Sequence, residues 1–353
     1  MSQESKTNNF NLVRLIGALL VMIGHMGPIM GAEAPVFGQD LHGIGVEILF
    51  LIGGYLVAQS WMNDPHPIRY GIKRFLRLWP PFALMILLMT FVAGPLLSNL
   101  GTAGYFGSWW TTYLQNLRFY IIYAQPGVFT ETPIPYVTNG SLWTMPVELA
   151  LYVVTPLVTL LFGIGKNRKF SFPLFFLFCL AMIGAGLWID LHPDISWVFY
   201  ATDWAAGLKL GVYYLIGMLC SMKPMRKWFR MEWTPIAFLM IVLLQYETRP
   251  IQYLTLIIAL PYLVFSLALA PGALFGRVGT KYELSYGIYL YGFFFQQLTV
   301  QWQQKTGISL GVLGSFAVSL CMTVGAAFLS CVLIEKPIQR LSRSLTQRLK
   351  HSS

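Results

Sequence analysis

The amino-acid sequence predicts an all-α protein, a polytopic membrane bundle of about ten transmembrane helices with both termini in the cytoplasm. Three observations support this fold class. Hydrophobic residues make up 56% of the 353 positions and charged residues only 11%, whereas a soluble domain carries about a quarter charged residues. The apolar residues stand in blocks of roughly 20, the length that crosses a hydrocarbon core. The basic residues cluster between these blocks, as they do in cytoplasmic loops.

The apolar blocks define the predicted spans, of which the seventh is the shortest. We expect residues 1–353 to form a single integral-membrane domain in which residues 337–353 are a short basic cytoplasmic tail. The predicted spans are 10–31, 43–61, 78–98, 141–163, 172–190, 204–222, 234–246, 251–270, 284–303 and 309–334.

The basic residues set the predicted orientation. With the N-terminus inside and ten spans, 20 of the 24 Lys and Arg residues fall on the cytoplasmic side, as the positive-inside rule requires. We therefore expect a multi-pass protein of the inner (cytoplasmic) membrane. A cleavable signal peptide is not expected, because Arg14 interrupts the start of the first apolar run and His25 lies deep within it.

The formal net charge of +10 would favour nucleic-acid binding in a soluble protein. Here the topology accounts for the clustered charges, so we expect no nucleic-acid partner. The four cysteines lie in apolar blocks without a CxxC pair, which predicts neither disulfides nor a zinc site. We also expect no metal, because the remaining histidines are predicted in loops without ligand spacing: His42, His66 and His192.

Charged residues inside the predicted spans are the first functional candidates, since a charge at the bilayer centre is unfavourable by at least about 2.5–3.5 kcal/mol. Arg14 and His25 are 11 residues apart, almost three helical turns, which predicts a shared helix face and an axial separation of roughly 16 Å. Glu47 and Glu148 lie in the second and fourth spans. Glu335 ends the last span, either as an interfacial charge or as a partner for Arg14.

Two other segments each have two interpretations. The basic stretch KRFLRLWP, which contains Arg74 and Arg77, either sets topology and binds lipid headgroups or forms an anion site for nucleotide phosphates. The long outer loop, residues 99–140, is rich in aromatic residues. It forms either an interfacial aromatic belt or a lid that stacks on sugar rings.

Six segments, in order along nearly the whole chain, together resemble the acyltransferase-3 family of polytopic membrane acyltransferases. In the first span, Arg14 and His25 match an Arg-x10-His signature. The segments GVEILFLIGGYLVAQSW, KRFLRLWP and SLWTMPVELALY follow, the last with Trp143 and Glu148 in motif positions. LSYGIYL matches through Tyr289, and Glu335 begins a Glu-x-Pro ending. In one departure, Gly292 stands where many members have a histidine.

The resemblance implies a carbohydrate O-acyltransferase that takes an acyl group from acyl-CoA, by default acetyl-CoA, on the cytoplasmic side. It implies a glycan hydroxyl as acceptor, for example in an exopolysaccharide or a lipopolysaccharide. A neutral histidine suits proton removal from a hydroxyl near pH 7, so we assign His25 as the base and Glu148 as a catalytic partner that orients it or balances its charge. Direct transfer and an acyl-histidine intermediate are both compatible with these residues.

The remaining predicted site residues would bind the two substrates. We expect Arg14, Arg74 and Arg77 to hold donor phosphates at the inner face, with Glu335 beside them, and Trp143 and Tyr289 to contact substrate. The alternative function is a non-catalytic glycan or lipid transporter (flippase), since charges inside the membrane suit that equally well. A sensor or scaffold with a vestigial site is a second alternative.

Overall fold

The computed structural model describes residues 8–31, 40–165, 169–270 and 278–351. The described α-helices are α1 (Phe10–Ile29), α2 (Leu41–Asn63), α3 (Pro67–Leu88), α4 (Gly94–Leu97), α5 (Gly101–Phe106), α6 (Thr144–Leu161), α7 (Ser171–Leu191), α8 (Trp204–Cys220), α9 (Lys223–Arg226), α10 (Thr234–Leu243), α11 (Arg249–Ala268), α12 (Ser285–Thr306), α13 (Gly311–Ser330) and α14 (Lys336–His351). The 3-10 helices are Trp110–Arg118, Gly140–Trp143, Met231–Trp233 and Leu244–Tyr246, the π-helical turns are Met89–Ala93 and Cys331–Glu335, and the antiparallel strands are β1 (Val198–Phe199) and β2 (Thr202–Asp203).

Each of the ten predicted spans coincides with a helix. Within the described residues, seven helical segments are long and apolar enough to cross a membrane, as judged by length and composition. α8 and α10 are shorter, and α12 carries five glutamines between positions 296 and 304. The multi-helical membrane fold is therefore supported, whereas the count of ten spans stays a prediction.

The third helix begins eleven residues before its predicted span. His66 caps α3 by accepting a hydrogen bond from the Arg69 backbone N–H, and Pro67 occupies the first turn, where its missing N–H is harmless. Arg69 and Lys73 also hold Asp64, at 2.6 and 2.7 Å. Hydrogen bonds from these two side chains lower the pKa of Asp64 below its ordinary value. The predicted basic stretch is thus part of a helix, which fixes its arginines relative to the bundle.

The predicted C-terminal tail is also helical. A π-helical turn, Cys331–Glu335, joins α13 to α14, which packs against α3. Ile338, Leu341 and Leu345 recur at spacings of three and four residues on α14. This periodicity gives an amphipathic helix with basic residues on its other faces.

Close backbone contacts hold the centre of the bundle together. α2 packs against both α1 and α8. A Cβ at Gly54 would lie 1.9 Å from the Tyr214 carbonyl oxygen, so a glycine is needed for α2 and α8 to approach this closely. Glu47, one of the predicted intramembrane charges, is hydrogen-bonded by Tyr213 of α8 at this interface and does not line the site described below.

The aromatic outer loop is folded into the bundle. The side chains of Tyr105 and Tyr113 are fully buried, and the Tyr105 hydroxyl lies 2.7 Å from Gln125 Oε1. Phe106 and Trp109 remain exposed. Some of the aromatic residues of the loop are therefore needed for the packing of the loop itself.

Candidate functional site

A narrow cleft with a cavity volume of about 90 Å³ opens among α1, α2, α3, α6 and α12. We call it the arginine pocket, because three of the predicted arginines line it: Arg14, Arg74 and Arg77. The lining includes one carboxylate, that of Glu148. This excess of guanidinium groups favours an anionic ligand, since guanidinium forks pair well with phosphate oxygens.

Arg77 is positioned by an acidic residue that the sequence analysis did not select. Its Nη2 donates to Glu283 Oε2 at 2.9 Å, and Glu283 also accepts hydrogen bonds from the backbone N–H and hydroxyl of Ser285. Burial raises the pKa of Glu283, but the charges of Arg77 and Arg14 and the hydrogen bonds from Ser285 outweigh it and lower the pKa to about 2. The sequence signal that could have identified Glu283 is its position just before the start of α12, where an acidic side chain is favourable.

The other two arginines are held less tightly. The Arg74 guanidinium lies 5.8 Å from the ring centroids of both Tyr70 and Tyr152, and its Nη2 donates to Ser60 Oγ at 3.2 Å. Its buried Nε has no hydrogen-bond partner among the described residues. Arg14 lines the pocket beside the charged groups of Arg77, Glu283 and Glu148. Both therefore keep donor groups available for a ligand.

Glu148 belongs to the arginine pocket, where the Tyr152 hydroxyl donates to its Oε1. The sequence analysis expected Glu148 to orient His25 or balance its charge, but no contact joins these two residues in the described structure. Tyr289 also lines the pocket, and its hydroxyl lies 2.5 Å from Thr144 Oγ1 and donates to the Ser141 carbonyl at 2.8 Å. α6 and α12 thus form one polar wall.

Three predicted site residues lie outside this pocket: Glu335, Trp143 and His25. Glu335 is buried within the π-helical turn, where Ser330 Oγ donates to it at 3.5 Å, and its charge acts on Arg77 and Glu283. Glu335 is not among the charged groups that surround Arg14. Glu283 is the acidic residue near Arg14 that the sequence analysis did not select. Trp143 ends the 3-10 turn before α6 and packs against the hydrophobic core.

His25 lies outside the arginine pocket and faces α2 and α12. Its ring stacks on the ring of His42, with centroids 4.6 Å apart and planes 16° apart, and the edge of Phe293 lies 5.1 Å away. His42 Nδ1 in turn contacts the Asp40 carboxylate. The buried His25 Nδ1 makes no hydrogen bond of normal geometry with any described residue. His25 is thus a candidate proton acceptor, paired with a second histidine and a carboxylate.

The prediction that His42 lies in a loop was wrong, because His42 is the second residue of α2. A glycine brings the two histidines together. A Cβ at Gly24 would lie 2.2 Å from the His42 backbone nitrogen, so any larger residue there would force α1 away from the start of α2. Nothing in the sequence spacing of the two histidines indicates this contact.

The arginine pocket and His25 are adjacent along three helices. On α2, Val46 lines the pocket and His42 lies one turn away. On α12, Tyr289 lines the pocket, and Phe293, one turn later, contacts His25. On α1, Arg14 and His25 are separated by roughly 16 Å of helix. On α2 and α12, the residues that contact His25 therefore lie one helical turn beyond the residues that line the pocket.

The space beside Gly292, the departure noted in the sequence, is filled by a methionine side chain from α1. A Cβ at Gly292 would lie 2.7 Å from Met22 Cγ. The Met22 side chain therefore occupies the space that an imidazole at position 292 would need. In the part of the chain that the structure describes, no group of three or more His, Cys, Asp or Glu side chains could hold a metal ion.

Comparisons with known proteins match nearly the whole chain. The family model described as an acyltransferase domain matches residues 7–335. The chain is 26% identical over 336 residues to an O-acetyl transferase of Shigella phage Sf6, covering 94% of this chain and 96% of that protein. It is 26% identical to nodulation protein 10 of Rhizobium leguminosarum bv. viciae, covering 97% and 95%. No solved structure matches the chain.

Proposed function

Because this chain belongs to the acyltransferase family whose model covers residues 7–335, we propose that it is a membrane O-acyltransferase that moves an acyl group from acyl-CoA to a glycan hydroxyl. The family resemblance predicted from the sequence motifs is confirmed by this match. We propose acetyl as the group transferred, since one similar protein is named an O-acetyl transferase. In our proposal the donor is cytoplasmic, the acceptor is a cell-surface or secreted polysaccharide, and the ten helices cross the inner membrane.

The arginine pocket would bind the donor. Its three guanidinium groups would hold the phosphates of coenzyme A, as planar donor forks commonly do. Glu283 holds Arg77 in place, and Glu148 offsets part of the positive charge when the pocket is empty. We assign Tyr289 to the wall along which the slender pantetheine arm would extend toward His25.

His25 would act as the general base. A sugar hydroxyl oxygen attacks the thioester carbonyl carbon, and one nitrogen of the His25 ring takes the hydroxyl proton. As the new C–O bond forms, the C–S bond breaks, and the coenzyme A thiolate leaves and receives that proton. Such proton transfer typically accelerates a reaction about 10²–10⁴-fold. An acyl-histidine intermediate would use the same nitrogen as nucleophile.

One observation carries this proposal. α1 presents Arg14 to the arginine pocket at one end, and at the other end it turns His25 toward α2 and α12. A cationic and an imidazole side chain on one helix thus both face neighbouring helices of the bundle. Their axial separation, roughly 16 Å, suits a ligand that has a phosphate group at one end and a thioester at the other.

The direct test is thioester consumption by the purified full-length chain with acetyl-CoA and polysaccharide. An acyltransferase releases free coenzyme A thiol and adds one acetyl mass to the glycan, and His25→Ala abolishes both. A transporter would leave the thioester intact, and a sensor would keep its cellular phenotype in the His25→Ala variant. Either result would refute the proposed activity.

A further inference from the structure

A second cavity lies outside the site proposed above, between α10 and α11, with a volume of about 600 Å³. It shares no lining residue with the arginine pocket. One end is lined by Lys227, Trp228, Arg230 and Trp233. The rest is lined mainly by apolar side chains, including Ile236 and Met240 on α10 and Ile258 on α11. We call it the α10–α11 groove.

The rim of the groove carries two exposed cations, and neither makes an ion pair with a residue that the structure describes. The Lys227 ammonium lies 5.9 Å from the Trp228 ring centroid. The Tyr262 hydroxyl accepts from the Arg230 backbone N–H at 3.2 Å and donates to the Arg230 carbonyl at 3.0 Å. These hydrogen bonds attach the backbone of Arg230 to α11, so the position from which the Arg230 side chain extends is fixed.

The dimensions of the groove fit one leaflet of a bilayer. α10 has ten residues, a length of about 15 Å, which is half of the roughly 30 Å hydrocarbon core. Tryptophan is enriched at the headgroup level, and Trp228 and Trp233 are both at the charged end. The apolar lining begins next to that end and continues along α10.

We propose that the α10–α11 groove is a binding site for an anionic phospholipid. The lipid phosphate lies between Lys227 and Arg230, and one acyl chain runs along Ile236, Met240 and Ile258. Two cations beside an apolar groove distinguish this site from the general lipid-facing surface, because a net-neutral headgroup gains less from them than an anionic headgroup. Basic pockets between membrane helices bind anionic headgroups for the same reason.

The test uses the full-length chain in phosphatidylcholine vesicles that contain a trace of photoactivatable lipid, with the reactive group on the acyl chain. The phosphatidylglycerol probe should label peptides that contain Ile236–Met240 or Ile258, and the phosphatidylcholine probe should label them far less. K227Q/R230Q should reduce phosphatidylglycerol labelling roughly tenfold or more, from the usual contribution of a basic residue near an anionic surface. The matched control is K223Q/K350Q, which removes two exposed cations that do not line the groove and should label normally.

A second variant tests the apolar part of the groove independently of its two cations. Met240→Trp with Ile258→Trp fills the apolar part without changing charge, and both native side chains are exposed, so folding is retained. This variant should also lose labelling, with an unchanged elution volume in size-exclusion chromatography. Equal labelling by the two lipids, equal loss in the K223Q/K350Q control, or labelling elsewhere while the groove stays unlabelled would overturn the proposal.

Discussion

The ring of His25 stacks on the ring of His42, with centroids 4.6 Å apart, and the Asp40 carboxylate contacts the far side of this pair through His42 Nδ1. A proton taken up by His25 would create positive charge next to this carboxylate. Asp40, acting through His42, is therefore the electrostatic partner of the proposed base. Glu148 lies in the arginine pocket and cannot take this role. Asp40 is exposed, which gives the proton a route toward solvent.

The first prediction concerns His42. His42→Phe keeps an aromatic ring against His25 but removes both nitrogens and the contact with Asp40. We expect kcat to fall roughly ten- to hundredfold, less than the loss from His25→Ala, since a positioning residue contributes less than the general base itself. Asp40→Asn should cause a smaller loss in the same direction. Initial rates at saturating donor and acceptor measure both, and a wild-type kcat in His42→Phe would contradict this role.

The second prediction concerns the glycine that allows this stack. Gly24→Ala places a methyl group against the His42 backbone, so the helices must separate. We expect a loss of about 1–3 kcal/mol in stability, as for other overpacked sites, with transfer activity lost as well. Gly184→Ala in α7 is the matched control, because a Cβ there meets no atom within 4 Å. Thermal unfolding should show a lower midpoint for Gly24→Ala alone, and equal midpoints would argue against the close crossing of α1 and α2.

A third prediction follows from the pKa of Glu283. Its folded-state pKa is about 2, below the ordinary value of a glutamate, so its pairing with Arg77 stabilises the fold above pH 4.5. That contribution, about 3 kcal/mol from the size of the shift, is lost as the pH falls from 4.5 toward 2.

The measurement is thermal stability between pH 7 and pH 3. Glu283→Gln should lower the unfolding midpoint at pH 7 and flatten its decline at acidic pH. Glu131→Gln serves as the control, because this exposed side chain makes no ion pair with a described residue. If wild type and Glu283→Gln decline in parallel, the Arg77–Glu283 pair does not contribute as the geometry indicates.

The sequence predicted the helical membrane class and a helix at each of the ten apolar spans, because each span of about 20 apolar residues is a local signal. It did not predict α14 in the basic tail or the early start of α3. It also predicted that Arg14 and His25 share an inward face, since helical periodicity fixes this. It missed His42 and Glu283 as site residues. His42 meets His25 only through the crossing at Gly24, and Glu283 meets Arg77 across 206 positions of chain. Contacts of this kind depend on tertiary packing, which no local pattern encodes.

A fourth prediction concerns the departure at position 292. Gly292→His alone should unfold or aggregate, because the new side chain would collide with Met22. Gly292→His combined with Met22→Ala makes room and should restore a monodisperse protein. Size-exclusion chromatography in detergent compares the two. A well-folded Gly292→His single variant would show that α1 and α12 are not packed as closely as described.

The central claim is that one helix binds the donor at Arg14 and performs chemistry at His25, and a paired measurement of donor binding and transfer tests it most directly. Calorimetric titration with coenzyme A gives Kd, and thiol release with acceptor gives kcat. We predict that Arg14→Gln raises Kd at least tenfold and that His25→Gln leaves Kd unchanged while lowering kcat by roughly 10²-fold or more. A His25→Gln variant that turns over at the wild-type rate, or an Arg14→Gln variant that binds coenzyme A normally, would contradict the account.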